Sequence, residues 1–325
     1  MGKKMTIKKS TEAELINLFA AFDEFIIEKE AHNLSEATTT NYTRTFNAFV
    51  RYHDFNDETT TDEITQSHIY KWINSMKTRI KPKSVNHCIG DIRAFLYWCM
   101  DDSREYITPR FKIELIKAQE EQIKLFSNDE LEVLLEKPHK NDSFVTWRTW
   151  VVVNWVLATG NRASTVCEVQ LGDVDFKKRE IVLRHTKNNK LQIIPLSSTL
   201  ESVLKEYIRM WRKDASSESY MFPTVSDEKM PSKSLEQSFY TYCKKRGTQK
   251  TSIHGLRHNF AKAWVQSGGN MYKLQMILGH SSLTMTQRYV RLFGEDLKED
   301  FDSFAALDTL KKKTNKKSVM KRNIG

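Results

Sequence analysis

No hydrophobic run in this 325-residue chain approaches the roughly twenty residues that a membrane-crossing helix needs. Cysteine is scarce as well. Cys88, Cys99, Cys167 and Cys243 are scattered, none belongs to a C-x-x-C pair, and each sits in apolar or helical text. That excludes a disulfide framework and a cysteine zinc site, and it reads as reduced thiols in a cytosolic protein. The opening residues MGKKMTIKK have no apolar stretch of the secretory kind, and Gly2 with Thr6 fits the myristoylation pattern only loosely. There is no internal repeat, and the stretch from Lys311 to Gly325 contains no acid at all. What the chain does have is positive charge: 51 Lys and Arg against 41 Asp and Glu leave a formal +10. Such a balance favours a polyanionic partner, either nucleic acid or an anionic membrane surface.

The length suffices for two domains with separate cores. After a short basic lead, Leu15, Leu18, Phe19, Phe22 and Phe25 recur at the spacing of an amphipathic helix. Ser35 reads as the N-cap of a second helix with the stripe Tyr42, Phe46, Phe49 and Val50. A third carries Ile69, Trp72, Ile73 and Met76, and a fourth, after Pro82, carries Val85, Ile89, Ile92, Leu96 and Cys99. These make an all-helical unit over 12–102, followed by a mixed, Pro109-containing linker over 103–124. A second unit, 125–310, opens on a capping box, Ser127 with Glu130 three residues on. A long apolar helix then runs from about Phe144 to Ala158 and stops at Thr159-Gly160. The clear β signal is one hairpin, Glu180–His185 and Leu191–Leu196 around the turn Thr186–Lys190, with an earlier strand near Val174–Phe176. Helices resume with Leu200–Trp211 and Leu235–Lys245. They continue with an apolar face of Leu256, Phe260, Ala261, Trp264 and Val265 that stops at Gly268-Gly269. A short helix over Leu274–Leu278 ends at Gly279, and a last one, capped by Ser281 or Ser282, carries Tyr289. Leu297–Leu307 predicts one more helix, before the basic tail 311–325. The fold class expected is therefore mainly α with a small antiparallel β-sheet.

Between Ile253 and Arg291 the chain gathers His254, Arg257, His258, His280 and Tyr289. His254 and Arg257 are three apart and share a helix face beside the apolar one. A forked guanidinium next to an imidazole suits a phosphate. His254 and His258 also have the i, i+4 spacing of a zinc pair, but HGLRH lacks the glutamate of a zinc protease and puts a cation between the ligands, so no metal is expected. Arg162 follows the helix-ending Gly160, where a cation would also satisfy the helix dipole. Lys187 sits in the hairpin turn, either as a mobile general acid or as a plain solvent-facing lysine, with Lys190 its rival.

Four blocks, ATGNRASTVCEVQLGDVDF, RHTKNNKLQIIPL, HGLRHNFA and LGHSSLTMTQRYV, in this order and context, resemble the tyrosine recombinases, the phage integrase and Xer-type family. The resemblance covers essentially the whole chain. It implies a helical core-binding DNA-binding domain and a mixed α/β catalytic domain, clamped around double-stranded DNA. It assigns Arg162 and Arg257 as the catalytic arginines, Lys187 as the hairpin lysine, His254 and His280 as the two histidines, and Tyr289 as the nucleophile. One departure stands out: the family's acidic residue three after the first arginine is here Thr165, and the nearest acid is Glu168. The implied reaction makes a 3′-phosphotyrosyl link, needs neither cofactor nor metal, and uses His254 as the base that helps Tyr289. The implied assembly is a homotetramer on two recombination sites, with the helix around Leu297–Leu307 docking on a neighbour, and an accessory directionality protein as a further partner. The short N-terminus leaves no room for an arm-site domain, which points to a simple Xer-like resolvase or a mobile-element integrase in the cytoplasm, on the nucleoid. The alternatives are a catalytically inactive DNA-binding relative, motivated by Thr165, a type IB topoisomerase-like strand transferase, and a basic helical scaffold for RNA or anionic membrane.

Overall fold

The computed structural model describes residues 16–119, 123–184 and 191–293. The expectations for Leu15, Lys187, Lys190, the 297–307 helix and the 311–325 tail lie outside the described residues. The chain forms two compact units, 1–121 and 122–325, each with its own apolar core.

The first unit holds α1 (Leu18–Ala31), α2 (Glu36–His53), α3 (Gln66–Lys77) and α4 (Pro82–Cys99). Each begins where the local chemistry permits. Asn17 accepts from the Phe19 and Ala20 amides at the start of α1, and Pro82 is the first residue of α4, where a missing N–H costs nothing. Ser35 occupies the N-cap of α2, but its hydroxyl meets Thr38 Oγ1 at 2.9 Å instead of the backbone. The predicted stripes of α3 and α4 are buried in full. Phe22 and Phe46 stack at 3.8 Å between ring centres, with Phe95 edge-on to both. Residues 103–119 carry no helix or strand, yet Ile107 and Ile113 are buried in this same core.

In the second unit, the capping box of α5 (Asn128–Leu135) forms as the sequence predicts. Ser127 Oγ accepts from Glu130 N, and the Glu130 carboxylate accepts from Ser127 N. The other Glu130 oxygen accepts from the Gln249 and Lys250 amides, which ties α5 to the approach to α10 (Ile253–Gln266). The long apolar helix is α6 (Phe144–Thr159), buried nearly all round and in contact with α5, α8 (Ser198–Trp211), α9 (Ser232–Lys245) and α10. It is the axis of the unit. Past α7 (Ala163–Glu168), strands β1 (Val174–Asp175), β2 (Glu180–Leu183) and β3 (Gln192–Pro195) form an antiparallel sheet in the order β1-β2-β3. The two hairpin strands are shorter than the sequence suggests, because pairing among the described residues ends at Leu183 opposite Gln192. Ile181, Leu183 and Ile194 face the core. The chain continues through α11 (Met271–Leu278) and α12 (Leu283–Phe293). α11 starts earlier than its apolar residues alone indicate because Asn270 caps it, accepting from Tyr272 N and Lys273 N. Asn259 on α10 is buried and pairs through its amide with both the N–H and the carbonyl of Phe126, fixing the chain ahead of α5. No helix among the described residues is long and apolar enough to cross a membrane.

Candidate active site

The site is built on two helix ends. α6 stops at Gly160 (φ 65°) and α11 at Gly279 (φ 61°), both in the left-handed conformation that a residue without Cβ adopts freely. A helix end presents carbonyls that its own backbone cannot satisfy and carries partial negative charge. Arg257 of α10 takes up both ends: Nη1 donates to Gly160 O at 2.7 Å and Nη2 to Leu278 O at 2.9 Å. Arg162, two residues past Gly160, sends Nη1 to the same Leu278 carbonyl at 3.4 Å. Arg257 is only 2% exposed, so it lies within the packing, not on the helix flank beside the apolar face where its spacing placed it. The convergence of α6 and α11 covers that flank.

Among the described residues, neither arginine pairs with a carboxylate. Burial pulls the Arg257 guanidinium down to about 10, with Arg162 adding like-charge repulsion, and burial also lowers Arg162. Both remain cationic at neutral pH. Two adjacent cations held by neutral groups, the carbonyls and the His280 imidazole, concentrate positive charge in a low-dielectric setting, where an anion gains most. Glu168 does not substitute for the missing acid at Thr165: it pairs with Lys229 at 2.6 Å, and Thr165 itself is buried.

The imidazoles and the phenol complete the site. Arg257 Nη2 lies 2.8 Å from His280 Nε2. A guanidinium only donates, so this nitrogen accepts and the His280 proton resides on Nδ1, facing Thr286 Oγ1 at 2.8 Å. Tyr289, one turn beyond Thr286 on α12, is 4% exposed, with its ring parallel to that of His280. Its hydroxyl lies 2.8 Å from Nδ1 of His258. His254, exposed at the edge of the site, places its ring edge-on to His258 at 4.5 Å. By spacing alone His258 is a metal-ligand candidate, and the proton-accepting role falls to His254. Among the described residues, the imidazole in hydrogen-bond contact with Tyr289 is that of His258. The one hint in the sequence was its position, four residues after His254 and next to Arg257. Arg162, His254, Arg257, His280 and Tyr289 are thus brought together, whereas Lys187 lies outside the described residues. The strand that follows its turn is anchored nearby, since Gln192 Nε2 donates to the carbonyls of Met276 and Ile277 at the end of α11.

Desolvation, reinforced by neighbouring cations, pushes His258 and His280 down to about 4 and lowers His254 as well. Burial raises Tyr289, against the pull of Arg257, Arg288 and Arg162. The folded state therefore excludes protons that the unfolded chain takes up near pH 6.5, the ordinary value for histidine. The stability contributed by the neutral imidazoles is complete above about pH 6.5 and is lost as pH falls from there toward about 4. Melting temperature is expected to drop between about pH 6.5 and 4.5, before most carboxylates titrate, and to drop less in His280→Asn. A flat calorimetric profile across that range counts against the buried, neutral imidazoles.

The sequence model of the phage integrase family matches residues 124–295, and that of the phage integrase N-terminal SAM-like domain matches 19–105. The chain belongs to the phage integrase family, the tyrosine recombinases, whose members are site-specific DNA strand-transferring enzymes. It is 26% identical to the tyrosine recombinase XerD of Listeria innocua over 298 residues, 90% of this chain and 98% of that protein. It is 27% identical to XerD of Oceanobacillus iheyensis, over 88% of this chain and 98% of the relative. In fold it is similar to the Tn1549 transposon integrase, solved with transposon right end DNA (TM-score 0.68, 19% identity, 84% of this chain and 94% of that one). It is also similar to the XerH site-specific recombinase, solved with a palindromic difH substrate (TM-score 0.68, 17% identity, 86% and 83%).

Proposed function

We propose that this chain is a site-specific DNA recombinase that cleaves and rejoins duplex DNA through a 3′-phosphotyrosyl link to Tyr289. The observation that carries this reading is the pairing of Arg162 and Arg257 on one carbonyl, uncompensated by any described carboxylate, beside a buried tyrosine hydroxyl. A phosphodiester is anionic, and attack concentrates charge on its non-bridging oxygens. Two fixed guanidiniums, with His254 and His280 as neighbours, stabilise that charge without reorganising. The phosphorus is attacked by Tyr289 Oη and the 5′-oxygen leaves, taking a proton that we assign to Lys187. The new ester conserves the bond's energy, so rejoining needs no nucleotide.

A nicked suicide duplex, carrying a site selected by binding from a random pool, tests the reading on a denaturing gel. Wild type is expected to give a covalent adduct and Tyr289→Phe none. No adduct from wild type, or one that survives the substitution, sinks it. The inactive DNA-binding alternative keeps some support from Thr165 and from the engagement of Glu168 with Lys229. It predicts salt-sensitive binding without an adduct.

β3 and α11 border a cavity of about 1100 Å³ in which Leu191, Ile193, Tyr272 and Met276 expose apolar surface. We assign this groove to the Leu297–Leu307 segment of a neighbouring copy within a homotetramer on two sites, bound to the nucleoid in the cytoplasm. Sedimentation on a two-site DNA that reads fewer than four protomers per complex overturns the assembly. Integration of a mobile element and Xer-like resolution both fit this chemistry.

A further inference from the structure

Resting on the recombinase reading, we infer that His258 is the catalytic base that takes the proton of Tyr289, the role that the sequence alone assigns to His254. The geometry selects it. Nδ1 of His258 is 2.8 Å from the phenolic oxygen, within reach for direct proton transfer. His280 is unavailable, since its Nε2 already accepts from Arg257 and its Nδ1 faces Thr286 Oγ1. His254 meets the ring of His258, and no hydrogen bond joins it to Tyr289 among the described residues.

The step balances. Tyr289 O–H gives its proton to the lone pair of His258 Nδ1, the bond from Oη to phosphorus forms, and the bond from phosphorus to the 5′-oxygen breaks. On rejoining, the 5′-hydroxyl gives its proton back to the group assigned as Lys187 and bonds to phosphorus, the bond from phosphorus to Oη breaks, and the imidazolium returns its proton to Oη. In this scheme neutral His258 carries its own proton on Nε2.

The groups that face His258 are His254, Arg257, Arg288 and Tyr289. In the protein without DNA, desolvation and these cations hold the imidazole neutral, with its pKa down at about 4. Such a base is available but weak. A DNA phosphate beside Arg257 offsets the cationic part of that shift, though not the larger part due to burial, so the base gains strength when substrate is in place. Tyr289, raised by burial, likewise stays protonated until then.

Single-turnover cleavage of the suicide duplex against pH tests the assignment in the full chain. His258→Gln keeps an acceptor of similar reach but takes no proton. It is expected to cleave about 10²-fold or more slowly at pH 7. It should also recover about tenfold per pH unit toward pH 9, as tyrosinate forms unaided, with duplex affinity unchanged. A wild-type rate, or a deficit equal at every pH, overturns the assignment. Should the variant fail to fold, nitrogen-15 histidine spectra of wild type and Tyr289→Phe decide. A non-protonated Nδ1 whose signal moves on loss of the hydroxyl supports the step, and a protonated Nδ1 overturns it. No Tyr289-dependent adduct from wild type fails the recombinase reading itself, whereas an adduct of wild-type rate from His258→Gln fails only this inference.

Discussion

Arg257→Ala is expected to lose cleavage by about 10³-fold or more and to destabilise the protein by about 2–4 kcal/mol. The two effects have one origin. Three guanidinium contacts, to Gly160 O, Leu278 O and His280 Nε2, satisfy acceptors at the ends of two separate helices, α6 and α11, in a nearly water-free setting. Alanine leaves those acceptors with no described donor but the Arg162 contact at 3.4 Å, and each unmet buried group costs about 1–3 kcal/mol, partly relieved by entering water. It also removes the cation fixed at the proposed phosphate site, which accounts for the rate. Arg257→Lys separates the two. Lysine keeps the charge but lacks the planar fork that bridges two carbonyls, so stability should fall by about half as much while cleavage still drops by about 10²-fold. Urea titration and single-turnover cleavage read the two quantities. A lysine variant with wild-type cleavage shows that charge alone suffices, and that the bridging geometry plays no part in the chemistry.

The helices and most of the site were legible in the sequence because both are written in short-range spacing. Ile69, Trp72, Ile73 and Met76 mark the buried face of α3 without any knowledge of what covers it. HGLRH announces a helix turn with histidine and arginine on one face in the same way, and Gly160 and Gly279 announce helix ends. The remainder depends on which elements meet. Nothing local shows that α12 returns to α10, so that His258 and not His254 reaches Tyr289. Nothing local shows that α6 and α11 end on opposite sides of one guanidinium, which is why Arg257 looked like a flank residue and proved to be core. The hairpin strands were read too long for a related reason: apolar composition continues through Leu196, but ladder pairing depends on the partner strand. Thr165 was visible as a departure, whereas the engagement of Glu168 by Lys229, sixty-one positions away, was not.

Gly160→Ala is expected to damage the site from a residue that touches no substrate. At φ 65° any L side chain is strained, by about 1 kcal/mol for alanine. An added Cβ would also stand 2.5 Å from Phe260 Cδ1 and 2.7 Å from Leu278 Cδ2, well inside contact distance. Both neighbours belong to the site's own scaffold: Phe260 lies on the Arg257 helix, and Leu278 supplies the carbonyl shared by the two arginines. Relief of the clash must therefore push apart α6, α10 and α11 at the point where Gly160 O receives Arg257 Nη1. The total cost should be about 2–4 kcal/mol, with cleavage lowered about 10-fold or more because the guanidinium no longer sits where it was fixed. Gly247→Ala is the control. It has the same sign of φ (73°) but no atom within 4 Å of the added Cβ, so it isolates the backbone strain and should cost only about 1 kcal/mol with cleavage intact. Equal losses of stability in the two variants would assign the effect to backbone strain alone. They would remove the claim that Gly160 is required for close packing of the two helix ends around Arg257.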